Sequence, residues 1–395
     1  MKILWHSVAP WFQTGYGSQT KIFIERLQTI LGHEMALSTW TYQGEKTEYK
    51  GMPVYPCPGG AQDTPALPFH AAHFGAELVI TLSDTWVFSS DLMKKVPWVA
   101  WMPVDHDPVP PKVANRVRDG YGVPVAYSQF GVDRLRKAQF DPLYVPHGCH
   151  PAFFESVDKQ TARAALDLPR DAYIVGMVGV NQSVPNRKSY PQSMMAFRRF
   201  LQKHNDAYLV LHTKTRVQHG LNLEQLAETI GLDKSRFRFS DQYQMTLGFD
   251  ESYLRNLYSA MDVFLTPNMG EGFGLPLIEA QACGVPILGT NFSTFPELCA
   301  FGELIDGEPF YTNQSSFQCI PSVEGIVDGL EKIYDYSKDQ YDTGSAKARQ
   351  FIAENYHPDT VTREFWEPTL REAHKRIGEW RYPAMNFVSD TMETK

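Results

Sequence analysis

The stretch that most constrains this chain runs from Met261 to Ala280. Met261-Asp-Val-Phe-Leu-Thr266 is a short apolar run that reads as a buried strand. Asn268-Met-Gly-Glu-Gly-Phe-Gly-Leu-Pro-Leu-Ile-Glu-Ala280 follows it, and Leu275, Leu277, Ile278 and Ala282 then recur at helical spacing. That pattern stops at Gly284, with Pro286 just beyond. A Gly-rich turn between strand and helix leaves backbone N–H groups free at a helix N-terminus, which favours an anion. The turn also carries Glu271, and Glu279 lies eight positions further on. Carboxylates do not bind phosphate, but they accept hydrogen bonds from sugar and ribose hydroxyls. The two halves of the stretch together describe a site for a nucleotide sugar.

The rest of the chain supplies a frame of strands and helices in alternation. Lys2–Val8 reads as a strand and Ala9–Ser18 as a loop, and Gln19–Leu31 has helical spacing at Ile22, Phe23, Leu27 and Ile30. Glu34–Ser38, Leu78–Leu82, Trp98–Met102 and Val123–Tyr127 read as further buried strands with helical stretches between them. The run Tyr144–Phe154, with two Pro and one Gly, reads as a linker. The alternation restarts with strands at Tyr173–Gly179, Ala207–His212 and Phe237–Ser240 and helices at Tyr190–Leu201, Leu223–Ile230 and Glu251–Ala260. Later helices are expected around Val323–Tyr334, Ser345–Asn355 and Val361–Trp380. The fold class is therefore α/β, with two doubly wound Rossmann-like domains facing across a cleft. The expected divisions are 1–150, 151–360, a helix at about 361–380 and a tail at 381–395. A ligand is expected at the strand carboxyl ends, in the cleft.

Composition excludes more than it selects. A net charge of −8 over 395 residues gives no global basic footprint for nucleic acid. The basic residues Lys112, Arg116, Arg118, Arg134, Arg136 and Lys137 read first as solvated helix faces. Five Cys without a CxxC pair or metal-ligand spacing favour a reducing, cytoplasmic setting, and no apolar run approaches a membrane span. No Gly-x-Ser-x-Gly elbow, Walker loop or HExxH helix is present.

Four loops after strands hold the remaining candidates. Gly15, Tyr16 and Gly17 open a helix and can meet an anion, but a bare loop with Ser18 as N-cap is an equal reading. Arg187 and Lys188 can neutralise a diphosphate, Arg by its fork and Lys as a point charge. Asp105, His106 and Asp107 are consecutive and diverge along an extended chain, so we read no metal there. His106 instead suits polar contact to a sugar or acceptor, supported by one of the Asp. Gln242 and Tyr243, after the strand at Phe237–Ser240, suit contact with a nucleotide base. His147 and His150 read as packing residues of the linker.

Glu271-Gly-Phe-Gly-Leu-Pro-Leu-Ile-Glu279-Ala resembles the E-x7-E signature of retaining glycosyltransferases of family 4, which have the GT-B fold. Leu257–Val263, Ala282–Pro286 and Phe295–Leu298 fit the same context, and Val145-Pro-His-Gly-Cys-His resembles the family's interdomain connection. The N-terminal half looks most like phage and metagenomic members. The resemblance implies transfer of a hexose from a UDP- or GDP-sugar to an acceptor hydroxyl, with retention and no required metal or cofactor. It implies that Glu279 binds the donor ribose and Glu271 the sugar ring. The backbone of Gly272, Phe273, Gly274 and Leu275 and that of Gly15 to Gly17 would meet the diphosphate or sugar. Lys188 matches the family's diphosphate lysine, and Arg187 would replace the family arginine, whose place holds Val180-Asn181. His106 would stand near the sugar, with Asp105 and Asp107 on the acceptor side. The acceptor is open between a hydroxymethylated pyrimidine in DNA, a virion protein, a glycan and a small molecule. A GT-B nucleotide-sugar epimerase, a phosphorylase and a non-catalytic sugar-nucleotide-binding subunit are the rival readings.

Overall fold

The computed structural model describes residues 1–382, so the tail expected at 381–395 lies outside the described residues from 383 onward. Two parallel sheets form its frame. The first is built from β1 (Lys2–Ser7), β2 (Glu34–Thr39), β3 (Thr47–Tyr49), β4 (Met52–Pro56), β5 (Leu78–Leu82), β6 (Trp98–Met102), β7 (Val123–Ala126) and β8 (Leu143–Tyr144). Its order is β3-β4-β2-β1-β5-β6-β7-β8, with only β3 and β4 antiparallel. The second is built from β9 (Tyr173–Val178), β10 (Ala207–His212), β11 (Phe237–Phe239), β12 (Val263–Thr266), β13 (Ile287–Thr290) and β14 (Gly302–Ile305). Its order is β11-β10-β9-β12-β13-β14. Strand order reverses between β1 and β5 in one sheet and between β9 and β12 in the other. Loops leaving neighbouring strands there turn to opposite faces and open a crevice. A separate hairpin, β15 (Gly307–Tyr311) with β16 (Phe317–Pro321), follows the second sheet.

The core strands are buried along their length, as parallel strands covered by helices on both faces must be. The first helix departs from the sequence reading. It spans Gly15–Thr29, and its N-cap is Thr14 rather than Ser18. Thr14 Oγ1 accepts the Gly17 N–H at 3.0 Å, and Ser18 N–H closes on the Thr14 carbonyl at 2.8 Å. Capping by an earlier hydroxyl therefore draws Gly15, Tyr16 and Gly17 into the first helical turn, where a loop was expected.

Two packing arrangements join the halves. Gln19, buried on the first helix, accepts the Gly148 N–H at 2.9 Å and donates to the Gly148 carbonyl at 2.8 Å, which fixes the linker. His147 beside it packs against Tyr127 (ring centroids 4.2 Å), Trp101 (4.6 Å) and Phe273 (5.1 Å). The last described helices return to the N-terminal half. Helix Lys338–Tyr356 leads through Pro358–Val361 and a π-helical turn, Thr362–Trp366, into helix Glu367–Ile377. The π-turn brings Trp366 within 5.7 Å of Trp5, 5.8 Å of Phe23 and 4.8 Å of Trp101. Among the described residues, no helix is long and apolar enough to cross a membrane.

Trp366 is fully buried at the point where the last helices meet the first sheet. Trp366→Ala should cost about 3–5 kcal/mol in urea unfolding, the range for deleting a buried aromatic side chain. A loss below about 1 kcal/mol would mean that this contact does not hold the C-terminal helices to the N-terminal domain.

Candidate functional site

At the reversal between β9 and β12, the loops after these two strands converge. The β9 loop carries Arg187 and Lys188, and the β12 turn carries Asn268 and Glu271. Lys188 Nζ is paired with Glu271 Oε1, which also accepts Asn268 Nδ2 at 2.6 Å. Arg187 Nη1 lies 3.3 Å from Glu271 Oε2 and donates to the Gly270 carbonyl at 3.0 Å. The Glu271 N–H donates to Ser293 Oγ at 3.0 Å. Burial alone would raise the Glu271 carboxyl, but Lys188 and then Arg187 outweigh it and hold the group below its ordinary value. Burial lowers Lys188, and the neighbouring Arg187 adds to this against the pull of Glu271. Lys188 is largely covered, whereas Arg187 keeps more than a third of its side chain in solvent.

The other carboxylate has the opposite environment. Glu279 Oε2 accepts the Tyr258 hydroxyl at 2.9 Å and, among the described residues, has no cation beside it. Burial raises its pKa from 4.5 to about 7, with Glu251 adding to the effect and Tyr258 opposing it. Two carboxylates eight residues apart thus titrate in different ranges because one has two cations and the other none.

Between them lies the turn into helix Leu275–Ala282. Gly274 sits at φ 101°, a conformation that L side chains rarely adopt and that lets the chain enter the helix at once. Gly272 lies so close to Pro103, just after β6, that a Cβ there would strike it, so the turn touches the opposite domain. No acceptor among the described residues meets the N–H groups of Phe273, Gly274 and Leu275. The same holds for Gly15 and Tyr16 at the start of the first helix. A Cβ on Gly15 would lie 3.2 Å from Leu275 Cδ1, so the two helix N-termini face each other across the cleft. Phe273 itself is buried against His147 and Tyr356, so only its backbone is available to a ligand.

The N-terminal side adds a polar cluster. Asp105 Oδ1 accepts His106 Nδ1 at 2.7 Å, and Asp105 Oδ2 accepts Gln318 Nε2 at 3.2 Å. Burial would raise Asp105, but the hydrogen bond and charge of His106, then Arg187, bring it below its usual value. Asp84, in the loop after β5, is raised to about 6 by burial and by the charge of Asp105, against Arg187. The Tyr16 hydroxyl lies beside that of Tyr127, and burial, then Asp84, pushes it well above the usual phenol range.

Not every expected residue reaches this cluster. Asp107 turns away to Arg134 Nε at 3.0 Å and pairs through its backbone with Phe317. Gln242 is engaged within its own loop, accepting from Thr215 N–H at 2.9 Å and donating to the carbonyls of Thr213 (3.1 Å) and Ser240 (2.7 Å). It braces the loop, because its amide has partners on three sides, and Tyr243 next to it is exposed. Asn181, where the resemblance places an arginine, is fully buried and holds Leu221 O at 2.7 Å. Asn268, Ser293, Tyr258, Asp84 and Gln318 were not read as site residues. Asn268 and Tyr258 lay inside motifs already singled out, whereas Ser293, Asp84 and Gln318 carried no local signal. Among the described residues, no group of three or more His, Cys, Asp or Glu is placed to hold a metal ion.

Comparison with known proteins bears on this geometry. Residues 158–340 match the family model of glycosyl transferases group 1, a stretch that contains Arg187, Lys188, Glu271 and Glu279. A D-inositol 3-phosphate glycosyltransferase of Segniliparus rotundus is 28% identical over 165 residues, covering 41% of this chain. The match spans only 35% of that relative's length. Among solved structures, sucrose-phosphate synthase from Thermosynechococcus elongatus superposes with a TM-score of 0.70 at 18% identity, over 94% of this chain and 98% of that one. Anabaena HepE, solved in complex with UDP and glucose, superposes with a TM-score of 0.65 at 16% identity, over 94% and 100% of the two chains. The chain thus shares the GT-B fold of these structures, and the match to the glycosyl transferases group 1 model falls on its second sheet and the loops of the candidate site.

Proposed function

We propose that this chain transfers a hexose from a nucleoside-diphosphate sugar to an acceptor hydroxyl, with retention of configuration, as in family 4. The observation that carries this reading is the meeting of Arg187, Lys188 and Glu271 between two facing helix N-termini with free N–H groups. Cations and free amides suit a diphosphate, and buried carboxylates suit hydroxyls. A glycosyl transferases group 1 match over the same residues supports the reading.

In this account the diphosphate takes Arg187 and Lys188 from Glu271, together with the N–H groups of Phe273–Leu275 and of Gly15 and Tyr16. Released from its cations, Glu271 accepts hydroxyls of the sugar ring, and Glu279 accepts the ribose diol. As the bond to the leaving phosphate lengthens, charge grows on the diphosphate oxygens, and the fixed donors stabilise it. The acceptor hydroxyl approaches from the leaving-group face. With the cations gone, Glu271 Oε1 keeps the Asn268 amide, and the carboxylate is assigned to hydroxyl binding rather than to nucleophilic attack. Asp105 and His106 line the acceptor side. A hydroxymethylated pyrimidine in DNA or a virion protein as acceptor rests on the phage resemblance of the N-terminal loops alone.

The direct test is acceptor-dependent release of nucleoside diphosphate, with donors screened by thermal shift and acceptors identified by mass spectrometry. Glu271→Gln and Lys188→Ala should each lower transfer by roughly 100-fold or more, and wild-type rates in both would refute the site.

Glu279 makes a separate prediction about pH. In the free protein it is protonated below about 7. A ribose diol donates to the ionised form, so binding lowers its pKa and releases a proton. Nucleoside-diphosphate affinity should therefore rise as pH increases through 7, and this component should vanish in Glu279→Gln. Calorimetry at pH 6 and 8 reads it, and identical pH dependence in the two proteins would exclude Glu279 from the ribose contact.

A further inference from the structure

The hairpin β15–β16 follows the second sheet in the chain, yet its second strand reaches both sides of the cleft. Cys319 N–H donates to the carbonyl of Met269, in the β12 turn, at 2.9 Å. Two residues earlier, Phe317 and Asp107 exchange backbone hydrogen bonds of 3.0 and 3.1 Å. Ser316 Oγ donates to the Pro108 carbonyl. Gln318 lies between these anchors, buried, and sends Nε2 to Asp105 Oδ2 at 3.2 Å.

The opposite oxygen of Asp105 takes Nδ1 of His106 at 2.7 Å. An ionised carboxylate only accepts, so Nδ1 carries a proton toward Asp105, and in the neutral ring Nε2 is then the acceptor. That Nε2 is buried and meets no hydrogen-bond partner among the described residues. Three side chains thus stand in series: an amide from one domain, then a carboxylate and an imidazole from the other. Because Ser316, Phe317 and Gln318 are consecutive in the chain, any movement of the hairpin away from the first domain would break their bonds to Pro108, Asp107 and Asp105 together. When they break, Asp105 loses one of its two partners and is free to rotate away from His106.

We propose that Gln318 is a positioning residue: on domain closure the hairpin sets Asp105 against His106, so that His106 Nε2 is held ready to accept a hydrogen bond from a substrate hydroxyl. This rests on the reading of the cleft as a sugar-transfer site. The contacts themselves do not depend on that reading, and neither does half of the test.

Gln318→Ala should lower the turnover of transfer by about tenfold, the loss of one hydrogen bond to a charged group, with donor KM unchanged within about twofold. Gln318→Glu keeps the size but sets a second carboxylate against Asp105, and should fall at least as far. In an Asp105→Asn background, Gln318→Ala should add no further loss, because Gln318 acts through Asp105. Independently of activity, exchange of the His106 Nδ1 proton, followed by NMR on histidine-labelled protein with nucleoside diphosphate bound, should be at least tenfold faster in Gln318→Ala. Wild-type turnover, additive losses in the double variant, or unchanged proton exchange would each overturn the proposal. If wild-type protein transfers no sugar from any nucleotide sugar while the exchange difference appears, the functional reading has failed and the Gln318 coupling stands.

Discussion

Burying Glu271 with Lys188 and Arg187 is the interaction on which the rest of this structure depends. Removing ions from water costs several kcal/mol each, and pairing recovers that cost only with good geometry and further hydrogen bonds. Asn268 supplies such a bond to the carboxylate, and the Gly270 carbonyl one to Arg187. Removing one partner of such a cluster typically costs about 3–5 kcal/mol, so the arrangement is held firmly without a ligand. It is also exchangeable. In the proposed function, an incoming diphosphate would offer the two cations what Glu271 offers them and free the carboxylate for hydroxyls.

Topology makes this cluster possible. β9 and β12 are neighbours in the sheet although some 90 residues of chain separate them. Their loops therefore open to one crevice, and Lys188 reaches a carboxylate 83 positions away with Arg187 beside it. The first sheet presents its own reversal point across the cleft, with Gly15 against Leu275 and Pro103 against Gly272. Gln19 and His147 hold the linker near these contacts, and Trp366 fastens the last described helices to the first domain. Linker, interdomain contacts and candidate site are therefore neighbours, and a change at one should be felt at the others.

Much of this was legible in the sequence where local physics dominates. Leu78–Leu82, Trp98–Met102 and Ala207–His212 have the bounds read for them, because short apolar runs bounded by polar residues or Pro leave little choice, and Glu251–Ala260 does because Asp250 caps it. The start of the first helix was misplaced because a hydroxyl four residues earlier than the expected cap reached Gly17 first. β15 and β16 were missed because Pro309 and exposed polar residues give Gly307–Tyr311 no apolar alternation. Arg187 and Lys188 stood out as a basic pair in a loop after a strand, and Glu271 and Glu279 as carboxylates in and just beyond the Gly-rich turn. Asp84 and Gln318 did not, since their significance lies in partners such as Asp105, 213 residues from Gln318. Spacing cannot encode a contact between two domains.

The most direct test of the account is the affinity of nucleoside diphosphate, without sugar, for Glu271→Gln protein by isothermal calorimetry. If Glu271 holds Arg187 and Lys188 in the free state, removing its charge should release both cations and tighten binding by roughly tenfold, about 1.4 kcal/mol. Unchanged or weaker binding would contradict the exchange of cations between carboxylate and diphosphate on which the whole account turns.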